Sequence, residues 1–255
     1  MKERGMIFNG EMTRAILDGR KTQTRRIVKG TDGAVKFCKE WDINGEEIFV
    51  VLGEKDHTGM NPVLGAISCP FGAVGDRIWV RETWGVVSHE LDDDGRIQPW
   101  KPDRPATAIH EMPFGNGYYS GHAIYAVDGD FTWGDDDGYE DGRSCWKPSI
   151  HMPRAASRIL LEITDVRVER LNAISPEDAE SEGLERTNFT GFGDEPGLPS
   201  YPEPDVYFDP LKKQWKEYPP EAFAGLWESI YGEGSWKANP WVWVIEFKRV
   251  EGGAA

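Results

Sequence analysis

Short runs of apolar residues recur along the chain and predict a protein built largely from β-strands. Such runs cover residues 48–52, 78–80 and 241–247, and they are rich in β-branched or aromatic residues. A longer run over residues 159–168 has apolar residues at alternate positions but changes phase near Thr164. Such a change of phase predicts a bulge within one long strand.

Helical spacing of apolar residues first appears near the N-terminus. From Met12 to Ile16, apolar residues recur at helical intervals, and Asn9 before them is a suitable N-cap. Gly19 follows at the position where a left-handed residue commonly ends a helix. We therefore expect a short helix here, followed by a strand over residues 22–28, which are rich in β-formers.

Two more helices are predicted in the second half of the chain. Ser175 and Pro176 followed by two acids form a strong helix start, because the hydroxyl caps the first turn and the acids favour its positive end. This helix is expected to end near Gly183. Another helix is expected to begin at Pro219 or Pro220. Its apolar face comprises Phe223, Leu226, Trp227 and Ile230.

Strands that lack regular helical crossovers favour an α+β fold or a small, partly open β-barrel with flanking helices. Residues 88–145 carry 13 acidic and 4 basic residues, and only residues 123–127 resemble a strand. We expect this segment to be an acidic insertion that forms a lid or rim. Residues 187–218, rich in proline and glycine, are expected to form a second surface insertion. The prediction is one domain over residues 1–255, with a flexible tail at 251–255.

Composition limits the functions to consider. Hydrophobic residues make up 39% of the 255, which suits a folded globule. The formal charge of -15 and the pI near 4.8 argue against wrapping long duplex DNA by phosphate neutralisation. The chain has no apolar run of roughly 20 residues and no apolar signal-peptide core at its start, so we expect a soluble cytoplasmic protein. Cys38, Cys69 and Cys145 are widely spaced and imply no disulfide framework. No metal site or cofactor is expected.

One stretch is strongly basic against this negative background. Residues 12–29 contain six basic residues and one acid, a local charge of +5. The basic residues are Arg14, Arg20, Lys21, Arg25, Arg26 and Lys29. Such an island suits a pocket for one anionic or polar ligand, and we expect Arg20, Arg25 and Arg26 to contact it. The alternative for these arginines is ion pairing with the surplus carboxylates of the protein. Lys21 and Thr24 also form a candidate pair of base and hydroxyl.

Further candidate ligand contacts lie at two other places. The first group follows the strand over residues 78–80 and consists of Arg81, Glu82 and Trp84. The indole of Trp84 is suited to stack on a base, and packing beneath the acidic insertion is the alternative. The second group lies in the connector over residues 146–154, whose two prolines predict extended backbone without a helix. Its members are Ser149, His151 and Arg154.

Residues 19–26 read Gly-Arg-Lys-Thr-Gln-Thr-Arg-Arg, and this run resembles the signature of the ASCH domains, a branch of the PUA-like β-barrels. Residues 171–183 and 244–248 are similar to the middle helix and the last strand of the small bacterial ASCH amidohydrolases. The proline-flanked connector resembles that of the larger ASCH proteins encoded in phages and prophages. The resemblance covers about residues 6–87 and 146–250, and it implies a PUA-like fold.

The small amidohydrolases of that family deacetylate N4-acetylated cytidine with a lysine base, a threonine nucleophile and a glutamate proton donor. The resemblance assigns these catalytic roles to Lys21, Thr24 and Glu182. A threonine hydroxyl needs a base to become nucleophilic, and lysine serves as one only if burial or nearby cations lower its pKa. The alternative for Glu182 is one of several surface acids on its helix.

Three functions follow from these features. The first is recognition of a nucleoside, a modified base or single-stranded RNA or DNA, together with hydrolysis of a modified pyrimidine such as N(4)-acetylcytidine. A ribonuclease is the alternative hydrolase for this first function. The second is a binding module without catalysis. The third is a phage accessory protein that binds a host protein through the acidic insertion. Catalysis requires the nitrogen of Lys21 to lie within hydrogen-bond reach of the Thr24 hydroxyl.

Overall fold

A computed structural model describes residues 1–92, 94–133, 145–188 and 205–250. The strands are β1 (Glu3–Ile7), β2 (Gln23–Ile27), β3 (Lys36–Trp41), β4 (Glu47–Leu52), β5 (Val63–Ile67), β6 (Arg77–Arg81), β7 (Trp84–Val87), β8 (His89–Leu91), β9 (Ile97–Pro99), β10 (Thr107–Phe114), β11 (Gly117–Tyr125), β12 (Leu160–Arg170), β13 (Arg186–Asn188), β14 (Asp205–Asp209), β15 (Gln214–Lys216) and β16 (Trp241–Arg249). The α-helices are α1 (Gly10–Leu17), α2 (Pro176–Ser181) and α3 (Pro219–Tyr231). Within these ranges, no helix is long and apolar enough to cross a membrane.

The chain divides into two compact units. The first consists of residues 1–14, 75–162 and the C-terminal stretch from Lys248. The second consists of residues 15–74 and 163–247. Both α1 and β12 begin in one unit and end in the other. The single domain expected over the whole chain stays a prediction.

The described residues of the first unit contain strands of three sheets, and β8 and β9 form the smallest of them. Strand β6 pairs in parallel with β1 and antiparallel with the start of β12. Strands β10, β11 and β7 form an antiparallel sheet in that order. One apolar cluster of this unit consists of Trp84, Ile109, Met112, Ala123, Tyr125, Met152 and Ala156. The side chains of β7, β10 and β11 therefore supply most of this cluster.

The acidic segment over residues 88–145 contains more strands than the single one that the sequence predicts, and its role as an insertion stays a prediction. Its described residues form β8 to β11, and Trp100 and Ile124 within it are buried together with Val87. The strand pattern is masked because glycine, proline and charged residues interrupt the apolar positions of β10 and β11. The predicted strand over residues 123–127 ends at Tyr125, where a single 3-10 turn begins. Asp93 and residues 134–144 lie outside the described residues.

The second unit contains the rest of β12, which continues a sheet in the order β12-β16-β2. Two further three-stranded sheets have the orders β3-β4-β5 and β13-β14-β15. Its core cluster consists of Leu171, Ile174, Ala179, Leu184, Tyr207, Ala222, Phe223, Leu226, Trp227, Val242 and Val244. Helix α3 contributes its predicted apolar face to this core, except that Ile230 near its end is 44% exposed.

The α+β class is confirmed, but the described sheets do not close into a barrel. The described residues of the second predicted insertion, over residues 187–218, contain the end of β13, all of β14 and all of β15. Residues 189–204 and 251–255 lie outside the described part. The connector between the two prolines is not extended. It forms single 3-10 turns at Ser149–His151 and Arg154–Ala156, each short enough to fit beside a proline.

Candidate active site

The residues of the candidate site lie in the second unit, where the turn after α1 meets the end of α2. Gly19 has a φ of 76°, a left-handed conformation that glycine adopts without steric cost, and it turns the chain toward β2. Lys21 then forms an antiparallel bridge with Glu182. The amide of Thr22 donates to the carbonyl oxygen of Ser181 at 2.9 Å. Backbone pairing therefore brings together two segments that are far apart in the sequence.

Local chemistry fixes the end of α2 beside Lys21. Ser175 caps the helix as predicted, because its hydroxyl accepts a hydrogen bond from the amide of Asp178 at 3.1 Å. Glu182 is the last residue of this turn, and Gly183 follows with a φ of 87°. A Cβ atom at Gly183 would lie 2.7 Å from the Cβ of Lys21, which is far inside normal contact distance. Glycine is therefore required for Lys21 to occupy its position.

Lys21, Arg25 and Glu182 form a buried ion cluster. Their exposed fractions are 2%, 2% and 3%. The Nζ of Lys21 donates to Glu182 Oε2 at 2.7 Å and to the Glu182 carbonyl oxygen at 2.8 Å. Arg25 Nη1 donates to the other carboxylate oxygen, Oε1, at 3.1 Å. One carboxylate thus forms ion pairs with two cations, and Glu182 is not the surface acid of the alternative interpretation.

A partly exposed network surrounds this cluster. Arg25 Nη2 donates to Asp178 Oδ2 at 2.8 Å, and Arg167 donates to the same oxygen at 2.7 Å. Arg167 also donates to Glu169 at 2.6 Å and bonds to Glu246. The ion pairs of the three cations Lys21, Arg25 and Arg167 involve five carboxylates: Asp165, Glu169, Asp178, Glu182 and Glu246. The basic island is therefore neutralised by acids at this point, as the ion-pairing alternative states.

Burial lowers the pKa of Lys21, because the charged ammonium loses its hydration. The attraction of Glu182 opposes this effect, and the positive charges of Arg26 and Arg25 add to it. Partial burial acts to raise the pKa of Asp178, but hydrogen bonds from Gln23 and Arg25 hold it below its usual value. The neutral form of Lys21 is therefore more accessible than that of an exposed lysine.

Thr24 is 1% exposed and lies opposite Ile245 in the pairing of β2 with β16. Its hydroxyl has no hydrogen-bond partner among the described residues. Alternation along β2 places its side chain on the face opposite those of Gln23 and Arg25. The hydrogen bond between Lys21 and Thr24 that catalysis requires is not formed in the structure, in which Lys21 Nζ donates to the side-chain and carbonyl oxygens of Glu182.

The other two arginines of the basic island that we expected to contact a ligand donate hydrogen bonds to groups of the protein itself. Arg20 donates to the carbonyl oxygens of Gly183 and Leu184 at 3.0 and 3.1 Å, and to Asp18 at 3.0 Å. Arg26 is half-buried and donates to the carbonyl oxygen of Arg25 at 3.4 Å. These arginines stabilise the turn in which Lys21 lies.

The other predicted contacts lie in the first unit. Trp84 is fully buried, and Phe114 packs against its ring at a centroid distance of 5.3 Å, so neither ring face is open to a ligand. Arg81 donates a hydrogen bond to the carbonyl oxygen of Ile150, and Glu82 accepts one from Arg158. Arg154 donates to Glu3. Ser149 is half-buried and His151 is exposed within their 3-10 turn. The structure therefore brings Lys21 and Glu182 together, with Thr24 in the adjoining strand, but does not group them with these six residues in one unit.

Sequence reasoning missed Arg167, Asp178 and Glu246 as members of the network. Arg167 lies at a polar position of β12, and Asp178 lies in the first turn of α2, where acids are common for helix-dipole reasons. The signal available was the alternation of β12, which places Arg167 and Glu169 on the same face. No family model, no curated protein and no solved structure matches the chain.

Proposed function

We propose that this protein is an amidohydrolase that removes an acyl group from an uncharged modified pyrimidine base or nucleoside, with N(4)-acetylcytidine as the representative substrate. The observation that supports it is the buried Lys21, whose pKa is lowered and whose amine is bonded to Glu182 at 2.7 Å. Thr24, three residues later, buries a hydroxyl without a partner among the described residues. Membership of the ASCH family with a PUA-like fold is part of this proposal.

The proposed reaction is an acyl transfer in two steps. Neutral Lys21 takes the proton of the Thr24 hydroxyl, whose oxygen attacks the acyl carbon of the substrate. The bond from that carbon to the exocyclic nitrogen breaks, and the nitrogen leaves as an amine with a proton from Glu182. Water then attacks the threonine ester, releases the carboxylic acid and restores the hydroxyl. The hydrogen bond between Lys21 and Glu182 provides a route by which the proton taken at attack reaches the leaving nitrogen.

The charge of the site favours an uncharged substrate over a phosphate-rich one. Five carboxylates pair with the three cations of the network, so these cations have no surplus positive charge to attract phosphate groups. A neutral base can instead be oriented by hydrogen bonds. From the sequence we expected recognition of a nucleotide or RNA. The proposal limits the ligand to a base or nucleoside.

The proposed chemistry requires two changes when substrate binds. The Thr24 hydroxyl has to come within hydrogen-bond reach of Lys21, and catalytic hydrogen bonds commonly tighten only in the substrate complex. Lys21, Thr24 and Glu182 are at most 3% exposed, so the segments around them have to open to admit the substrate. Both changes are expected to be absent from a cluster whose role is only structural.

The test is release of cytidine from N(4)-acetylcytidine, followed by chromatography for the wild type and matched variants. We expect Thr24→Ala to abolish turnover and Thr24→Ser to retain part of it, because serine supplies the same attacking oxygen. Thr22→Ala is the control, because Thr22 is an exposed threonine two residues away. A folded wild type that leaves acetylcytidine and related acylated pyrimidines intact would contradict the proposal and favour a binding module without catalysis.

A further inference from the structure

A cleft of about 270 Å³ lies in the first unit. It is formed by the start of α1, the link between β6 and β7 and the 3-10 turn that follows β11. The lining residues are Gly10, Glu11, Arg14, Glu82, Thr83, Ala126 and Val127. Its volume is near the lower end of the roughly 300–1,000 Å³ typical of ligand pockets, so it suits a small molecule.

Glu82 is the buried polar group of this cleft, with 1% of its surface exposed. Both of its carboxylate oxygens accept hydrogen bonds from Arg158, each at 3.1 Å. Arg158 also donates to both oxygens of Asp128, at 2.7 and 3.1 Å. Its guanidinium lies 3.8 Å from the centre of the Tyr125 ring. Two carboxylates thus share one guanidinium, which leaves one negative charge uncompensated in this buried group.

The raised pKa of Glu82 agrees with this uncompensated negative charge. Burial raises the pKa of Glu82 although Arg158 opposes the effect, and the charge of Asp128 raises it further. A second positive charge near Glu82 would therefore stabilise the ionised carboxylate.

The charged residues at the mouth of the cleft do not supply that charge. Glu11 and Arg14 are both exposed and carry opposite charges. Arg14 directs a guanidinium N–H to the carbonyl oxygen of Val127 at 3.1 Å, so this donor is already used. Gly10, Ala126 and Val127 provide apolar surface beside the carboxylate. An apolar wall next to a buried surplus of negative charge matches the two parts of an organic amine.

We propose that this cleft binds a small organic cation, of the alkylammonium or amidinium class, that donates hydrogen bonds to Glu82 and packs its apolar part against Ala126 and Val127. A charged hydrogen bond to a buried carboxylate contributes more than a neutral one, so the charge of the ligand should dominate its affinity. The cleft uses residues of the first unit alone, and the proposal does not depend on the chemistry proposed at Lys21.

The experiment is a titration of the full chain with butylammonium, with 1-butanol as the uncharged control of similar shape, followed by amide shifts in NMR spectra. We expect saturable shifts at Thr83, Ala126 and Val127 with the amine and none with the alcohol. Glu82→Gln should weaken amine binding about tenfold or more, because it keeps the shape and removes the charge. Glu90→Gln, at an exposed carboxylate of β8, should leave it unchanged.

Two further variants keep the proposal testable if Glu82→Gln does not fold. Asp128→Asn lies outside the lining and leaves Arg158 to neutralise Glu82 alone, so amine binding should weaken. Thr83→Trp places a bulky ring at an exposed lining position and should block the cleft without a change of charge. Equal shifts with butanol, or amine binding that survives both variants, would overturn the proposal.

Discussion

Replacement of Glu182 by glutamine should destabilise the protein far more than an ordinary loss of one surface charge. The carboxylate is 3% exposed and forms ion pairs with both Lys21 and Arg25. Arg25 keeps a second carboxylate, because Asp178 lies 2.8 Å from its Nη2. Lys21 keeps no carboxylate, since Glu182 is its only ion-pair partner in the described part of the chain. The variant therefore leaves a buried ammonium without a counterion.

We expect Glu182→Gln to lower the free energy of unfolding by about 3 kcal/mol. This is the lower end of the roughly 3–5 kcal/mol for breaking a buried ion pair, because the glutamine oxygen still accepts a hydrogen bond. Lys21→Met is the informative comparison. It leaves Glu182 paired with Arg25 at 3.1 Å, so no buried charge lacks a counterion. Its cost should be about 1–2 kcal/mol, the scale of lost hydrogen bonds. The two partners of one ion pair should thus give unequal effects.

Urea denaturation followed by circular dichroism measures both losses, and Glu177→Gln is the matched control. Glu177 lies on the same helix, is exposed and loses the same charge, so its effect should stay within about 0.5 kcal/mol. The deficit of Glu182→Gln should shrink as pH rises. The folded pKa of Lys21 lies below its unfolded value of about 10.4, so between these values the unfolded state holds more protons and stability rises with pH. A loss in Glu182→Gln no larger than that in Glu177→Gln would refute the reasoning.

Three further predictions concern the same site. Thr24→Val should stabilise the fold by about 1 kcal/mol, because it removes a buried hydroxyl without a partner in the described structure. The same variant should lose activity, and a lower melting temperature than that of the wild type would contradict the stability prediction. Gly183→Ala should cost about 2–4 kcal/mol from overpacking against Lys21 and a left-handed φ, whereas Gly10→Ala, with no atom within 4 Å of the added Cβ, should cost far less. The pH profile of kcat/KM should rise along a limb with an apparent pKa below 10.4, because neutral Lys21 is the base; a flat profile would exclude that role.

The elements around the site could be predicted from local patterns. Ser175, Pro176 and Gly183 carry capping information within a few residues, and helix α2 has the predicted start and end. The strand over residues 159–168 is present as β12, and its burial changes phase between Ile163 and Val166. These features depend on neighbours in the sequence, which is why the pattern was sufficient.

The partners of charged residues could not be predicted in the same way. Nothing near Lys21 in the sequence indicates that its amine bonds to Glu182, because the contact depends on a bridge between distant segments. The family resemblance named both residues, but it did not give the second cation on the same carboxylate. The strands of the acidic segment were missed for a different reason. The exposed polar residues His110 and Glu111 in β10 separate the buried Ile109 and Met112, so the apolar pattern is weak.

The most direct test of the central claim is to detect the acyl group on Thr24. Wild-type protein mixed with N(4)-acetylcytidine is quenched in acid at short times, and its peptides are analysed by mass spectrometry. The account predicts an acetyl group on Thr24 that appears before free acetate and is absent in Thr24→Ala, with Thr22 unmodified. Cytidine released at full rate by the Thr24→Ala variant, or an acetyl group found only at another residue, would contradict Thr24 as the nucleophile.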